Sequence, residues 1–259
     1  MSYRKIPENF GVKVIEFLEE LGRISLLAKE TVVDILRGKT RVKLTLEQMV
    51  KIGYESLPLA VVTSTFVGMV FAIQIAIGFV KFGAGKYVGS LMAIAIAREL
   101  GPAIAGIVIA GRVAAAIAAE IGTMEVTEQI DALKALGSNP VRYIVIPRFI
   151  ACATMLPLLT VFADILGFTG GYLVAIFVGK INPVDYMETS KTLLELWDIW
   201  GGLLKTVLFG MIIAIIACYK GLNTKGGAKG VGEATTSSVV TSLITLFIVN
   251  YFLSVAFFK

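Results

Sequence analysis

The feature that most constrains this chain is a series of five apolar stretches, each long enough to cross a lipid bilayer. About 20 consecutive apolar residues span the hydrocarbon core as a helix. The stretches lie at about 57–80, 87–119, 144–178, 199–219 and 231–258. Inside a membrane the backbone hydrogen bonds of a segment must be satisfied within the protein, which favours helices. The pattern therefore predicts an all-α polytopic membrane protein with five transmembrane helices.

The composition supports this fold class and excludes several functions. The chain is 56% hydrophobic and only 17% charged, whereas a soluble domain needs about 25% charged residues. It contains no histidine, which excludes Ser-His triads and imidazole metal sites. Cys152 and Cys218 lie in apolar runs without metal-ligand spacing, so we expect packing roles and no metal site. A net charge of +5 is too small to indicate a nucleic-acid partner.

Residues 1–44 are predicted to form an N-terminal helix and a basic linker that precede the transmembrane domain at 45–259. Apolar residues recur at steps of three and four within 8–37, with charges on the other side. This pattern is typical of an amphipathic helix lying in the membrane interface, although packing against a soluble partner is also open. A capping-box pattern at Thr45-Leu46-Glu47-Gln48 predicts the start of the next helix.

The distribution of basic residues predicts the orientation. The linker contains Arg37, Lys39, Arg41 and Lys43. By the positive-inside rule the linker is cytoplasmic, so five spans put the N-terminus in the cytoplasm and the C-terminus outside. The opening residues carry charges rather than a signal peptide, and a bacterial inner (plasma) membrane is the expected location.

Charged residues inside the spans are candidates for function, because a charge at the bilayer centre costs at least about 2.5–3.5 kcal/mol. Arg98 and Glu99 lie about 11 residues into the second span. Adjacent helical residues point about 100° apart, so each is expected to face a different partner. Lys205, at a similar depth in the fourth span, is a candidate partner. A substrate cavity and a structural ion pair are both open interpretations.

A proline and a second acid complete the set of unusual residues within the spans. Pro102 has no N–H, so the carbonyl of Arg98 loses its helical donor, and with Gly101 this predicts a helix break. Interrupted helices are common at polar sites of transporters, although a plain kink also fits. Asp164 in the third span is open to three roles: a proton relay, a hydrogen-bonded packing role, or pairing with Arg98. Arg112 and Arg148 are expected to anchor at lipid headgroups.

Residues 123–136 are predicted to form a short cytoplasmic helix, too polar and too short to span. Gly137 and Asn139-Pro140 end it. Acidic residues cluster near its start, where the helix dipole favours them. Val126, Ile130 and Leu133 share one face. An ordinary solvated helix and a knob that fits a groove on a cytoplasmic partner are both open.

An ordered set of motifs carries a resemblance to a known family. The motifs are Arg98-Glu99-Leu100-Gly101-Pro102, Ala110-Gly111-Arg112, Ala119-Glu120-Ile121-Gly122, Thr127-Glu128-Gln129-Ile130-Asp131-Ala132-Leu133 and Pro147-Arg148. Together they resemble the MlaE family, the permease subunits of ABC transporters that work with MCE-domain proteins. The resemblance covers essentially the whole chain, and Asp164 is not part of it.

The resemblance implies a function and a set of partners. It implies a homodimer bound to two cytoplasmic ABC ATPase subunits, a periplasmic ring of MCE-domain subunits and a small cytoplasmic accessory subunit. The substrate would be phospholipid, moved between the inner membrane and the periplasmic carrier. Arg98, Glu99 and Lys205 would surround the lipid cavity, and the helix at 123–136 would be the coupling helix. Its ATPase contacts would be Glu125, Glu128, Gln129, Asp131 and Leu133.

Energy is expected to come from a partner. The chain has no G-x-x-x-x-G-K-[ST] phosphate loop, so ATP and magnesium would be held by the ATPase, and this chain would bind no cofactor. We therefore expect a transport subunit rather than an enzyme. The alternative is a proton-coupled secondary transporter of an amphipathic substrate that uses Asp164 or Glu99.

Overall fold

The computed structural model of the chain describes residues 5–259. Within them the chain forms helices joined by short turns, and no strand occurs. The α-helices are α1 (Lys5–Leu36), α2 (Val42–Gly53), α3 (Leu57–Lys81), α4 (Val88–Ala95), α5 (Gly101–Ile109), α6 (Ala115–Val126), α7 (Gln129–Ala135), α8 (Ile146–Phe177), α9 (Pro183–Leu193), α10 (Leu196–Leu222) and α11 (Gly227–Phe258).

Five continuous helical segments are long and apolar enough to cross a membrane, which confirms the predicted fold class. They are Val42–Lys81, Gly85–Val126, Val141–Phe177, Leu196–Leu222 and Gly227–Phe258, called here the first to fifth spans. Each is longer than its predicted apolar core, because polar residues at the ends continue the helix. The first span shows this clearly: Thr45 Oγ1 donates to the Arg41 carbonyl at 3.0 Å. Thr45 therefore lies inside the helix, and the predicted capping box does not form.

The second span departs from regular α-helical geometry at two places. It contains two π-helical turns, at Ile96–Leu100 and Ala110–Ala114. A π turn hydrogen-bonds from residue i to i+5, which widens the helix and occurs often at functional sites. The break predicted at Gly101 and Pro102 is instead a widened turn just before the proline, after which the helix continues as α5. The π turn accommodates the missing N–H of the proline without interrupting the chain's course.

The fourth span lies at the centre of the bundle and the fifth at its edge. In their most apolar windows, 67% of the fourth span is buried but only 11% of the fifth. Glycines allow the close approaches between spans. A Cβ added at Gly210 would lie 2.4 Å from the Cys152 carbonyl oxygen, and one at Gly68 would lie 2.1 Å from the Gly167 carbonyl oxygen. Cys152 is fully buried, as is the other unbonded cysteine, Cys218, in agreement with packing roles.

Ion pairs join the spans at the end that carries the linker and α7, called here the basic end. Arg148, only 6% exposed, pairs with Glu120 at 2.9 Å, and Lys51 reaches the same carboxylate at 3.2 Å. Arg112 pairs with Glu55 at 2.7 Å. The expectation that Arg148 anchors at headgroups is therefore wrong, because its side chain is buried against Glu120. For Arg112, which is partly exposed beside Glu55, the expectation stays a prediction.

Carboxylates of α1 fasten this helix to the rest of the bundle. Asp34, only 4% exposed, accepts a hydrogen bond from Arg142 Nε at 2.7 Å and lies 3.5 Å from Lys39 Nζ. The Arg142 hydrogen bond lowers the pKa of Asp34 below its ordinary value. A second ion pair joins Lys220 to Glu20. The placement of α1 in the membrane interface stays a prediction.

The opposite end of the bundle, called here the α9 end, carries α9 in the polar segment between the third and fourth spans, a helix that the hydropathy pattern did not predict. The Asn182 side chain accepts from the Val184 N–H at 2.9 Å and caps α9, with Pro183 at its first position. Tyr186 anchors α9: it is fully buried, 5.4 Å from the ring of Phe168. Burial raises the pKa of the Tyr186 hydroxyl.

Candidate functional site

The candidate site is centred on Lys205, whose side chain is fully buried between the second, fourth and fifth spans. Its Nζ donates to Glu99 Oε1 at 2.7 Å, to the Arg98 carbonyl oxygen at 3.0 Å and to Ser254 Oγ at 2.7 Å. An ammonium group has three N–H donors, so all three are used. The second carboxylate oxygen of Glu99 accepts from Asn250 Nδ2 at 3.1 Å. The predicted partnership of Lys205 with the second span is thus observed.

The position of Lys205 follows from the proline and from a glycine. Pro102 leaves the Arg98 carbonyl without an α-helical donor, and an unpaired carbonyl in an apolar region is costly. Lys205 supplies the missing donor. A Cβ at Gly202 would lie 2.0 Å from the Ala97 carbonyl oxygen, so glycine is needed for the fourth span to come this close to the π turn.

Arg98 turns away from Glu99 and pairs with an acid at the start of the fourth span. Its Nε lies 2.7 Å from Asp198 Oδ1. Asp198 is 1% exposed, and its other oxygen accepts from the Glu195 N–H at 3.0 Å in a capping box that begins α10. The guanidinium carbon of Arg98 also lies 5.0 Å from the centre of the Phe258 ring. The carboxylate that orients Arg98 is therefore itself held by the backbone.

The exposed edge of the cluster presents both signs of charge. Its two cations, Arg98 and Lys205, balance its two carboxylates, Glu99 and Asp198. Lys205 and Asp198 are buried, whereas the side chains of Arg98 and Glu99 are 32% and 40% exposed. Within residues 5–259, the terminal nitrogens of Arg98 make no hydrogen bond. The cluster can therefore donate to an anionic group and accept from a cationic or hydroxyl group.

Asp164 lies apart from this cluster. It reaches from the third span to Gly101, where an added Cβ would lie 1.6 Å from Asp164 Oδ1. That buried oxygen has no hydrogen-bond partner in the described part of the chain. Pairing with Arg98 is wrong, because Arg98 pairs with Asp198 instead.

A cavity of about 380 Å³ lies beside Asp164. Its walls are mainly apolar and come from the second, third and fourth spans and α9, with Ala97, Phe168 and Met187 among them. Arg98, Glu99 and Lys205 do not line it. The Lys205 cluster and Asp164 are therefore separate polar features within one copy of the chain.

The predicted connector helix is shorter than 123–136. The helix α6 continues to Val126, and Glu128 adopts a left-handed conformation with φ of 59° before α7 begins at Gln129. Ile130 is 1% exposed and Leu133 packs partly buried against the core. The apolar face of α7 therefore contacts its own chain and fixes the helix on the bundle.

The outward face of α7 is polar and mainly acidic. Glu128, Gln129 and Asp131 are exposed, and Glu125 is half-buried at the end of α6. Asp131 pairs with Lys134 at 2.8 Å, and this hydrogen bond raises the pKa of Lys134. Of the predicted contact residues, Leu133 is the one turned towards the core.

Three residues of the cluster were not foreseen. Asp198 stands three residues after Glu195, a spacing of acids that signals a helix start. Asn250 and Ser254 are four residues apart and so share one face of the fifth span. These spacings were visible in the sequence, but their convergence on Lys205 depends on how three spans pack.

Comparisons with known proteins agree on one family. A family model described as "Permease MlaE" matches residues 45–256. A probable ABC transporter permease protein of Synechocystis is 47% identical over 233 residues, which cover 90% of this chain and 89% of the relative. A probable ABC transporter permease protein of Rickettsia conorii is 42% identical over 98% of both chains. The Arabidopsis thaliana protein trigalactosyldiacylglycerol 1, chloroplastic, is 42% identical over 91% of this chain and 67% of its own length.

Proposed function

The chain belongs to the MlaE family of ABC transporter permeases, and on that premise we propose that it moves phospholipids between an inner membrane and a periplasmic MCE-domain carrier. A separate ATPase supplies the energy. The substrate's headgroup is held near Arg98, Glu99 and Lys205 while its acyl chains lie on apolar walls. The permease is a transport subunit and not itself an enzyme.

The observation that carries this proposal is the geometry of Arg98. Asp198 fixes the guanidinium through Nε, and the terminal nitrogens stay partly exposed without a partner in residues 5–259. A guanidinium oriented in this way offers the paired donors that phosphate oxygens accept. The exposed edge of Glu99 is available for an amine or hydroxyl on the same headgroup. This arrangement favours a phospholipid head over a purely apolar substrate.

The test is ATP-dependent lipid transfer by the reconstituted complex. Arg98→Ala and Glu99→Ala should each slow transfer at least about tenfold while the complex still assembles, because a hydrogen bond to a charged group contributes about 1.5–3 kcal/mol. Arg98→Lys keeps the ion pair with Asp198 but loses the paired donors, so it should slow transfer too. Lys225→Ala, an exposed lysine in the loop between the fourth and fifth spans, is the control. Full transport by the Arg98 and Glu99 variants would leave the cluster with a structural role alone.

We infer that α7 is the coupling helix to the ATPase. Its apolar residues hold it on the bundle, and the polar residues Glu128, Gln129 and Asp131 face outward. A short helix fixed to its own chain and acidic outside is suited to transmit a push from a partner's groove. Glu128→Lys should reduce ATPase association and ATP-driven transfer by about tenfold or more, without changing the unfolding temperature of the isolated chain. Glu188→Lys, on the exposed face of α9, should leave ATPase association unchanged.

The remaining assembly is proposed from the family and from the exposed apolar faces. The fifth span is only 11% buried in its apolar window, which leaves a face for lipid or a second copy. A homodimer with two ATPases, an outer MCE-domain ring and a small cytoplasmic accessory subunit completes the proposal. The orientation has α7 in the cytoplasm and α9 outside. Purification of the complex, with mass spectrometry of its proteins and lipids, tests both partners and substrate.

One observation favours a second function, a proton-coupled transporter. Asp164 is a buried carboxyl without a hydrogen-bond partner among the described residues, beside a cavity of about 380 Å³. The two functions differ in their source of energy. Transport in ATP-loaded vesicles should continue when the proton gradient is collapsed if the ATPase drives it. Transport that stops under that condition would favour the proton-coupled function.

A further inference from the structure

A polar cavity lies at the basic end of the bundle, far along the spans from the Lys205 cluster. Its volume is about 360 Å³. The linker, the loop after α7 and the start of the third span line it, and the residues that matter are Lys39, Arg41, Ser138, Asn139, Arg142 and Tyr143. Three of these side chains are basic, and no acid lines the cavity. The cavity is therefore built to receive a negative group.

The neighbouring acids do not cancel this charge. Asp34 lies behind the cavity and is shared between Arg142, at 2.7 Å, and Lys39, at 3.5 Å. One carboxylate thus faces two cations. The other nearby acid, Glu30, accepts from Asn139 Nδ2 at 3.3 Å. Three cations against two carboxylates leave a positive surplus, and the N-terminus of the third span adds to it.

Of the three basic side chains that line the cavity, Arg41 has the positive charge that is least balanced by nearby carboxylates. Its guanidinium carbon lies 4.8 Å from the centre of the Tyr143 ring. No carboxylate pairs with it in the part of the chain that the structure describes. Stacking on an aromatic face orients the guanidinium and leaves the edge with the N–H donors free. Such an edge matches the oxygens of a phosphate group.

The position of the cavity identifies the source of the phosphate. Arg142 and Tyr143 lie in the first turn of the third span, which begins at Val141 and is long and apolar enough to cross a membrane. The cavity thus lies where a membrane surface meets the protein. We propose that it binds the phosphate of an anionic phospholipid from the leaflet at the basic end, as a resident lipid rather than as transported substrate. This proposal stands independently of the proposed function.

The volume and the contacts of the cavity define what such a lipid does. Ligand clefts run from about 300 to 1,000 Å³, so a cavity of about 360 Å³ holds a headgroup and leaves the acyl chains in the bilayer. Basic pockets between helices on the cytoplasmic side are typical sites for anionic headgroups. A phosphate held by Lys39 and Arg41 on one side and Ser138 on the other joins the linker to the loop that carries α7. The bound lipid therefore restrains the loop that carries α7.

The test uses the purified chain in phosphatidylcholine nanodiscs. Short-chain phosphatidylglycerol is added in increasing amounts, and the midpoint of thermal unfolding is measured at each concentration. The midpoint should rise and saturate with phosphatidylglycerol but not with added phosphatidylcholine. Inorganic phosphate and glycerol phosphate, without acyl chains, should produce at most a small rise at equal concentration. A rise as large with these free anions would overturn the lipid as occupant.

Two matched pairs of variants locate the binding. Arg41→Ala should raise the half-saturating lipid concentration about fivefold or more, whereas Lys43→Ala, an equal charge change just outside the cavity, should raise it less than about twofold. Tyr143→Phe keeps the ring face and should bind as the wild type does, while Tyr143→Ala should weaken binding. If Arg41→Ala and Lys43→Ala raised the half-saturating lipid concentration equally, the lipid would be attracted by the general surface charge, and the proposed site would be overturned. The absence of any saturable rise in the unfolding midpoint would overturn it as well.

Discussion

At the scale of single residues, Lys205 shows how one buried charge can be compensated inside a membrane protein. Its three N–H donors meet a carboxylate, a hydroxyl and the backbone carbonyl that Pro102 leaves without a helical donor. The proline therefore creates an acceptor in the second span, and the lysine of the fourth span satisfies it. The same contacts bring Glu99 to the edge of the cluster, where its side chain is 40% exposed. Structure and candidate function are thus coupled at one side chain.

The first prediction removes this charge. Lys205→Met keeps the length of the side chain but leaves the Arg98 carbonyl and Glu99 without their donor. We expect a loss of about 3 kcal/mol in the free energy of unfolding, or about 6–12 °C in the unfolding midpoint. Adding Glu99→Gln should restore part of the loss, since the unpaired carboxylate is then neutral. Lys191→Met, on the exposed surface of α9, should change the midpoint little. Thermal scans of the wild type and these three variants check the prediction. Equal unfolding midpoints for Lys205→Met and Lys191→Met would contradict it.

A second prediction concerns Asp34, one of the carboxylates that fasten α1. Arg142 lowers the pKa of Asp34, so the ionised form stabilises the fold above its ordinary pKa of about 3.9. This contribution should disappear as the pH falls through the lowered pKa. Asp34→Asn should therefore lower the unfolding midpoint by a constant amount between about pH 5 and 7. The difference should shrink as the pH falls below about 4 and vanish once the pH is below the lowered pKa of Asp34. Unfolding scans of both proteins across this range check it; a difference that grows towards acid pH contradicts it.

At the scale of helical elements, the close approach of the second and fourth spans depends on one glycine. A Cβ at Gly202 would lie 2.0 Å from a backbone oxygen of Ala97, which cannot rotate away. Gly202→Ala should cost about 1–3 kcal/mol and weaken the Lys205 contacts. A Cβ added at Gly111, in the second span, would meet nothing within 4 Å, so Gly111→Ala should be neutral or stabilise by up to about 1 kcal/mol. The unfolding midpoints of the two variants check this prediction. Equal changes in the midpoint for Gly202→Ala and Gly111→Ala would contradict a steric role for Gly202.

The elements that depend on hydrophobic length were predictable from the sequence. All five spans were found, and the common depth of Glu99 and Lys205 followed from counting residues along two of them. The π turns were not predictable, because hydropathy reports how long a helix is and not how its turns hydrogen-bond. The capping box at Thr45 was wrong for a related reason: polar residues of the linker continue a helix that tertiary packing holds in place.

The partners of charged residues were less predictable than their depth. Nothing in the sequence indicates whether Arg98 pairs with Asp164 or with Asp198, because its partner depends on how the third and fourth spans are rotated. The helix α9 was missed although Asn182-Pro183 is a regular N-cap pattern. The segment lacks the apolar run that marks a span, and the burial of Tyr186 that holds the helix in place is a tertiary effect.

At the scale of the whole molecule, the two ends of the bundle are chemically different. The basic end carries the linker, α7 and the cavity around Arg41, and its ion pairs join three spans. The α9 end carries a helix held mainly by apolar and aromatic contacts. The Lys205 cluster lies between them, nearer the α9 end along the second span. This asymmetry suits a permease in which energy is received at one end and a substrate is handled towards the other.

The orientation of this asymmetry in the membrane gives the last prediction. The positive-inside rule places the basic linker in the cytoplasm and α9 outside. Cys152 and Cys218 are fully buried, so they should not react with a maleimide in the folded protein. Lys43→Cys and Glu188→Cys each introduce one exposed thiol, at the basic end and on α9. In intact cells a membrane-impermeant maleimide should label the thiol at 188 and not the thiol at 43, and permeabilised cells should label both. Labelling at 43 but not at 188 in intact cells would reverse the orientation and put α7, the proposed coupling helix, on the side without ATP.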